Sequence, residues 1–529
     1  MANRRRSGFL VAAVSACCLL AGGPSAAQSD DAEALRIAMN SDIRGTNPGV
    51  NREVNTDTVI QHVVEGLVAY REDATVGPLL ADHITVSKDG LTYTFTLRPN
   101  IKFHNGATLT AEDVAWSWKR YLDPATGWQC LPLFDGRGHS KIEEIAAKDP
   151  RTVAFRISKP NALFLAEMAN IQCGGGAVLH KDSVNADGSW KEPVSTGPFT
   201  IKEWKKGQYV ELARFRDYRA RPGERDGYTG NKTAHVERVR FAILPDEAAA
   251  KAALLRGEID VLPYLSRESR TDLSRRPQFV VGSHLSNNTA ALLLQTRDPL
   301  LQDVRVRRAF ALAVDAQQLA QVVAGGSSAM YNPSMVPLAN TFYSSAHKEG
   351  FKPDLERAKA LLKEAGYNGQ PLKIVTNKRY SDMYSAALIV QSMARLAGFN
   401  IEVEVLDWAA QLDRYAKGDY QLMSFAYSAR LDPALAFEAI IGAKSTQPRK
   451  VWDSPQAQAL LDESFSVSDT ARRQTAFDQL HRLMLEDVPI VIYSNQVDEY
   501  AHSARVQGYK SWVAGKERAW GVRLVRQPS

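Results

Sequence analysis

Cysteine is scarce: there are four in 529 residues, and two of them, Cys17 and Cys18, sit in an apolar run near the N-terminus. A disulfide-rich scaffold is excluded. Neither Cys130 nor Cys173 has a second Cys or a His at CxxC-like spacing, so metal or redox chemistry has little to stand on. An even pair in an oxidising compartment reads as one structural disulfide. It closes a loop of about 40 residues and contributes roughly 3–4 kcal/mol on the loop-entropy account. An excess of one charge is also missing. Lys and Arg number 65 against 59 Asp and Glu, a net charge of +6. Arg4, Arg5 and Arg6 supply half of that surplus. Nothing here points to a nucleic acid or to a polybasic membrane contact. Catalytic and cofactor motifs are absent too: no HExxH, P-loop, GxSxG or GxGxxG. Gly174-Gly175-Gly176 is not followed by a phosphate-cradle pattern. His62, His83, His104 and His180 each stand alone, and Glu143-Glu144 and Glu402/Glu404 read as solvated faces rather than acid–base pairs. The expectation is no enzyme, no catalytic residue, no metal and no cofactor, and therefore a binding protein. Beyond residue 27 no stretch approaches 18 consecutive apolar residues, so no membrane span is expected there.

What is present starts with an address. Arg4 to Arg6 form a basic head, Phe9 to Ala21 an apolar core, and Ser25 and Ala27 a small-residue exit before Gln28. This is the pattern of a cleaved export signal over residues 1–27. Val14-Ser-Ala-Cys17 resembles a lipid-attachment box, but the apolar core before Cys17 would run only from Gly8 to Ala16, so soluble export to the periplasm is preferred. Further on, Leu91, Tyr93, Phe95 and Leu97 alternate with Thr92, Thr94 and Thr96, the pattern of a half-buried antiparallel strand. The Lys88-Asp-Gly90 turn places its hairpin partner near 84–87. Thr110 opens a helix in a capping-box-like arrangement with Asp113, ending at Asp123-Pro124. In the second half, Asp354 caps a helix ended by Gly366, and a strand follows at 372–376. A helix over about 384–397 and a strand at 401–405 then complete a βαβ unit. An α/β domain over roughly 297–494 follows. Residues 219–235 read as a surface loop.

Five segments carry a resemblance. They are Ser87-Lys-Asp-Gly-Leu-Thr-Tyr-Thr-Phe-Thr-Leu-Arg-Pro-Asn-Ile-Lys-Phe-His-Asn-Gly106 with 109–118; Ser195-Thr-Gly-Pro-Phe199 with Glu203-Trp204 and Arg216-Asp-Tyr218; Arg256-Gly-Glu-Ile-Asp-Val261; Asp303-Val-Arg-Val-Arg-Arg-Ala-Phe310 with Ala313-Val-Asp315; and Ala358-Lys-Ala-Leu-Leu-Lys-Glu-Ala-Gly-Tyr367. In this order they resemble the family 5 extracytoplasmic solute-binding proteins, the dipeptide-, oligopeptide- and nickel-binding class that serves ABC importers. The resemblance implies an α/β, two-lobed periplasmic-binding-protein-like fold of cluster C type. The first lobe is expected at 28–295 plus 495–529, with an inserted subdomain at about 76–194, and the second lobe at 296–494. It implies a monomer that captures a short peptide, or a peptide-like or opine-like carboxylate-bearing molecule, and delivers it to a permease and ATPase complex. A chemosensory or chaperone-like use of the same scaffold is the alternative, and an extracytoplasmic enzyme the third.

The resemblance also implies site residues. Relatives hold a ligand amine with the Asp of a Trp-x-x-Asp segment shortly before an Asp-Pro. The matching stretch here is Tyr427-Ser-Ala-Arg430-Leu-Asp-Pro433, with Tyr427 at the aromatic position and Arg430 at the amine anchor. A cation opposing an ammonium at 4 Å costs roughly 4 kcal/mol at an effective dielectric of about 20. Three readings stay open: Asp432 takes the amine, Arg430 meets an anionic group, or the two pair with each other or cap a helix. By the same resemblance Arg379 holds a ligand carboxylate and Trp408 walls the pocket. Asn51, Arg52 and Glu53 contact ligand from the first lobe, and Asn287, Asn288 and Tyr493 lie by the crossings.

Overall fold

The structure, a computed structural model, describes residues 34–324, 330–467 and 469–525. The export segment and Cys17, with both readings of that segment, lie outside the described residues.

The alternating stretch forms strand Thr92–Leu97, with Tyr93, Phe95 and Leu97 buried and the threonines half-exposed. It pairs with Ala81–Val86, Ile84 opposite Phe95, and belongs to a four-stranded antiparallel sheet completed by Ile142–Asp149 and Thr152–Ile157. Helix Ala111–Leu122 packs on that sheet. Its N-terminus carries the capping box of Thr110 and Asp113: Asp113 Oδ2 accepts from Thr110 N at 2.9 Å and from Thr110 Oγ1 at 2.7 Å. Cys130 and Cys173 are joined in a disulfide with Cα atoms 5.5 Å apart. Residue 174 follows with φ +68, the first of three successive glycines in the left-handed region, a conformation that costs a side-chain-bearing residue strain.

The second half contains the βαβ unit: strand Pro371–Thr376, helix Ser381–Leu396 and strand Asn400–Val405, with Leu372 beside Ile401 in a parallel register. The helix starts at Ser381, not near Tyr384. Asn377 accounts for the early start, since its Oδ1 accepts from Tyr380 N at 2.9 Å and turns the chain directly into the helix.

One large sheet joins the two halves. From one edge it runs Asn400–Val405, Pro371–Thr376, Leu422–Tyr427, Phe279–Leu294, Ile490–Ser503, Val261–Leu262, Ala34–Met39, Arg238–Ile243, Tyr209–Arg214, Phe199–Lys205. Two long antiparallel strands at its centre, Phe279–Leu294 and Ile490–Ser503, carry the chain across. Residues 279–285 of the first pair with 497–503 of the second and residues 289–293 with 490–495, while residues 289–294 also pair with Leu422–Tyr427 on their other side. The register slips between Leu285 and Thr289. Leu422–Tyr427 joins the first strand only beyond that slip, from Thr289 onward.

Candidate ligand-binding cleft

Strands Pro371–Thr376, Asn400–Val405 and Leu422–Tyr427 lie parallel, and the loops leaving their C-terminal ends carry Arg379, Trp408 and Arg430. Ligand sites of α/β sheets collect at such ends. All three line one cavity of about 780 Å³, bounded across from them by Asn51, Arg52 and Glu53, and on its floor by Asn288 and Tyr493 from the crossing strands. That volume suits a ligand of a few hundred daltons.

The second-lobe wall is aromatic. Phe425 and Tyr427, two apart on one strand, share a face. Trp408 stacks on Phe425 with centroids 5.9 Å apart, Tyr415 does so at 4.5 Å, and Tyr380 meets Trp408 edge-on at 5.0 Å. Trp408 thus packs against neighbours and still borders the cavity. Its buried Nε1 has no hydrogen-bond partner.

Arg379 crosses the cleft. Its Nη2 meets Glu53 Oε2 at 3.1 Å, the Glu53 side chain being 2% exposed. Glu53 is fixed by its own helix: as N-cap of Val54–Ile60 its Oε1 accepts from Thr56 N at 2.7 Å, leaving the second oxygen for Arg379. Arg52 pairs with Asp57 at 3.1 Å. Asn51, which holds the turn before that helix at φ +48, has one of the left-handed conformations Asn tolerates.

Arg430 has no such partner. Among the described residues no carboxylate lies within 4.0 Å of its guanidinium, whose Nη1 donates to the carbonyl of Ser428 at 2.9 Å. Burial, then the nearby positive charge of Arg52, pushes its pKa down to about 10, so it stays charged at neutral pH. Arg449 is a second cleft guanidinium in this corner, and its charge also depresses Arg430. The one acid facing them, Glu438, is held by Lys450 Nζ at 2.6 Å. This corner carries surplus positive charge in a partly dehydrated place, which an anion would neutralise with charge-assisted, fork-shaped hydrogen bonds.

Two expected residues lie outside the cleft lining. Asp432 does not reach it: it caps helix Pro433–Ile440, accepting from Ala434 N at 2.9 Å, and pairs with Arg473 at 2.6 Å. It does not pair with Arg430. Asn287 is buried, and its Nδ2 donates to the Arg430 carbonyl at 3.3 Å. Asn288, beside it, accepts from Ala429 N at 2.8 Å. The two asparagines fasten the Arg430 loop to the floor; Asn288 alone of the pair borders the cavity.

The sequence reading missed Tyr380, Tyr415, Phe425, Arg449 and Asp498, all of which line the cavity. Phe425 was accessible from its i, i+2 relation to Tyr427. Arg449 sits in an irregular stretch with no local signal. Among the described residues no helix is long and apolar enough to cross a membrane.

The relatives agree with this geometry. A profile of the bacterial extracellular solute-binding proteins, family 5, matches residues 75–447. Di/tripeptide-binding protein 4 of Pseudomonas aeruginosa is 29% identical over 485 residues, 86% of this chain and 88% of that protein. The dipeptide-binding protein DppE of Bacillus subtilis is 24% identical, covering 83% of this chain and 82% of its own. Among solved structures, the Helicobacter pylori periplasmic protein DppA in complex with the peptide STSA superposes with a TM-score of 0.83 at 25% identity, covering 93% of this chain and 98% of that one. AgaA from A. tumefaciens R10, bound to agropinic acid, gives 0.82 at 24% identity over 94% and 99%, a likeness of fold. A mixed α/β architecture, a cleft between strand-end loops and a first-lobe helix, and a profile match over most of the chain converge: this protein belongs to the family 5 bacterial extracellular solute-binding proteins.

Proposed function

We propose that this protein is the periplasmic receptor of an ABC importer. It captures a short peptide or a peptide-like or opine-like molecule through a carboxylate or comparable anionic group, and delivers it to a permease and ATPase complex. One observation carries the ligand class: Arg430 faces the cleft without a carboxylate partner, at the position where an amine-binding acid is expected. The family's peptide-binding relatives support the solute class, and the unpaired guanidinium favours an anionic contact at this loop. The mechanism is capture. The aromatic wall covers the apolar part of the solute, the anion completes Arg430, and the lobes close about the two crossing strands, bringing Arg379 onto Glu53. Closure buries Arg379 and Glu53 as a pair, which offsets the cost of dehydrating each, and the solute's contacts with both lobes bias the equilibrium toward the closed form.

The test is a thermal-shift screen of the ligand-stripped protein against dipeptides to pentapeptides, N-acetylated peptides, opines and sugar phosphates. A ligand at about 100 times its Kd adds roughly 2.7 kcal/mol of stability. The expected result is a shift with carboxylate-bearing members that disappears in Arg430→Met. Shifts that survive Arg430→Met, or come only from uncharged solutes, overturn the reading.

A further inference from the structure

We propose that Asp498 is a second charged subsite of this cleft, one that takes a cationic nitrogen, so that the solute is a zwitterion held by Arg430 at one point and by Asp498 at another. The proposal rests on the reading of Arg430 as an anion site, and deepens it.

Asp498 lies on the second crossing strand and borders the cavity next to the hinge. Its Oδ2 is buried and accepts no hydrogen bond. Among the described residues no Lys, Arg or His nitrogen comes within 4.0 Å of its carboxylate. Each neighbour that might serve it is engaged elsewhere or makes no bond. Lys516 Nζ donates to the carbonyl of Val54 at 3.3 Å, and Ser286 Oγ to that of Gln496 at 3.1 Å. Its cross-strand neighbour His284 keeps a buried Nε2 without a partner. Arg518 is committed to Glu72. A buried carboxylate oxygen with no donor loses hydration without replacement, a state that proteins avoid unless something completes the site. Burial, and then the charge of Glu517, pushes Asp498 up to about 7, against the smaller opposing effects of Lys516 and Ser286.

The backbone beside Asp498 carries no side chain. Residue 515 is a glycine at φ +58, and a Cβ there would stand 2.7 Å from Asp498 Oδ2 and 3.0 Å from Asn288 Nδ2. Any side chain would occupy the approach to the carboxylate. Asn288 also ties the two subsites together, since its Oδ1 accepts from Ala429 N, one residue from Arg430. An acid on the floor and an arginine on the wall, joined through one asparagine, match a ligand with separated opposite charges. An ammonium at Asp498 supplies N–H donors to the orphaned oxygen and a charge-assisted bond in a dry place. The amine is then anchored from the hinge strand rather than from the loop of Arg430.

The experiment uses the full mature protein and two matched pairs of probes: alanyl-alanine with N-acetyl-alanyl-alanine, and N-(1-carboxyethyl)alanine with its N-acyl derivative. Within each pair the carboxylates are shared and only the cationic nitrogen is lost. Calorimetric affinities are measured on wild type, Asp498→Asn, Gly515→Ala and Arg430→Met. Wild type is expected to prefer the cationic member of at least one pair by about 30-fold, the order expected for one charge-assisted contact. Asp498→Asn should reduce that ratio to within about threefold, chiefly by weakening the cationic member, with the N-acyl member still bound, and Gly515→Ala should act in the same direction. Arg430→Met should weaken both members alike and leave the ratio intact. Folding is controlled by the N-acyl affinity itself, which an unfolded variant would lose. An unchanged ratio in Asp498→Asn, or a wild-type preference for the N-acyl members, overturns the Asp498 proposal and leaves the anion reading standing. Binding that ignores Arg430 overturns the anion reading instead. Failure of wild type to bind any of the four probes overturns both.

Discussion

Arg379 and Arg430 stand on one wall of the cleft, each in a loop leaving the C-terminal end of a parallel strand, and each meets its surroundings differently. Arg379 finds Glu53 across the cleft at 3.1 Å, a carboxylate pre-set by its role as a helix cap. Arg430 finds backbone carbonyls, the positive charges of Arg52 and Arg449, and an acid, Glu438, that is already held by Lys450. A charge that the fold itself neutralises contributes to the closed arrangement. A charge that the fold leaves open destabilises the empty protein and favours whatever neutralises it. Two residues of the same type, in equivalent places, therefore divide into a closing contact and a reading contact.

The widest separation should come from Arg430→Met. Ligand affinity is expected to fall by about 30- to 100-fold for loss of a charge-assisted contact, measured by calorimetry. The unliganded midpoint should rise by a few degrees, because a dehydrated, unpaired charge is removed while the stem's packing is kept. A fall in the midpoint would show that Arg430 is structural. Arg379→Met should do the reverse. It strands the buried Glu53 carboxylate, and removing one partner of a buried pair costs about 3 kcal/mol or more, seen in denaturant titration. It should also enlarge the unliganded radius of gyration in solution scattering, whereas an unaltered radius would deny Arg379 a closing role.

Asp432→Ala sharpens the comparison from a third position, two residues from Arg430. It loses a helix cap and the pair with Arg473, and should cost about 2–3 kcal/mol in stability while the affinity of the folded protein changes less than about threefold. A large affinity loss would return Asp432 to the binding site.

The smallest effect on the comparison, and a control for it, is the acid response of His62. This ring is completely buried, with Nδ1 on the Thr58 carbonyl at 2.8 Å and Nε2 accepting from Ala519 N at 3.0 Å. Burial above all lowers its pKa from 6.5 to about 3. The unfolded chain takes up a proton below about 6.5 and the folded one does not. Stability from this group is therefore complete above 6.5 and declines as pH falls toward about 3. Nitrogen NMR of the imidazole should show the neutral, Nδ1-protonated ring at pH 5, in wild type and in both arginine variants alike. A protonated ring at pH 5 would contradict the assignment.

Much of this was legible along the chain. The alternation at 91–97, the βαβ unit and the placement of Arg379 and Trp408 after its strands follow from local periodicity, which depends on near neighbours, whereas Arg430 was placed by the family resemblance alone. The start of helix Ser381–Leu396 was misplaced because a side chain, Asn377, sets it by a bond that no periodicity encodes. The capping reading of Asp432 was open from the sequence, but its ion pair was not, since its partner, Arg473, lies 41 positions away on another helix. Arg449 and Asp498 gave no signal, as nothing beside them in sequence indicates a cavity.

By itself, the sequence determined the family resemblance, the strand and helix pattern, and the substitution of a cation at the expected amine anchor. Only the tertiary structure decided which charges are matched. Glu53 and Arg379 are 326 positions apart, and Arg430 is left unpaired by segments equally remote. Secondary structure is set by interactions over a few residues, whereas the electrostatic state of a side chain is set by whatever the fold brings within a few ångströms of it.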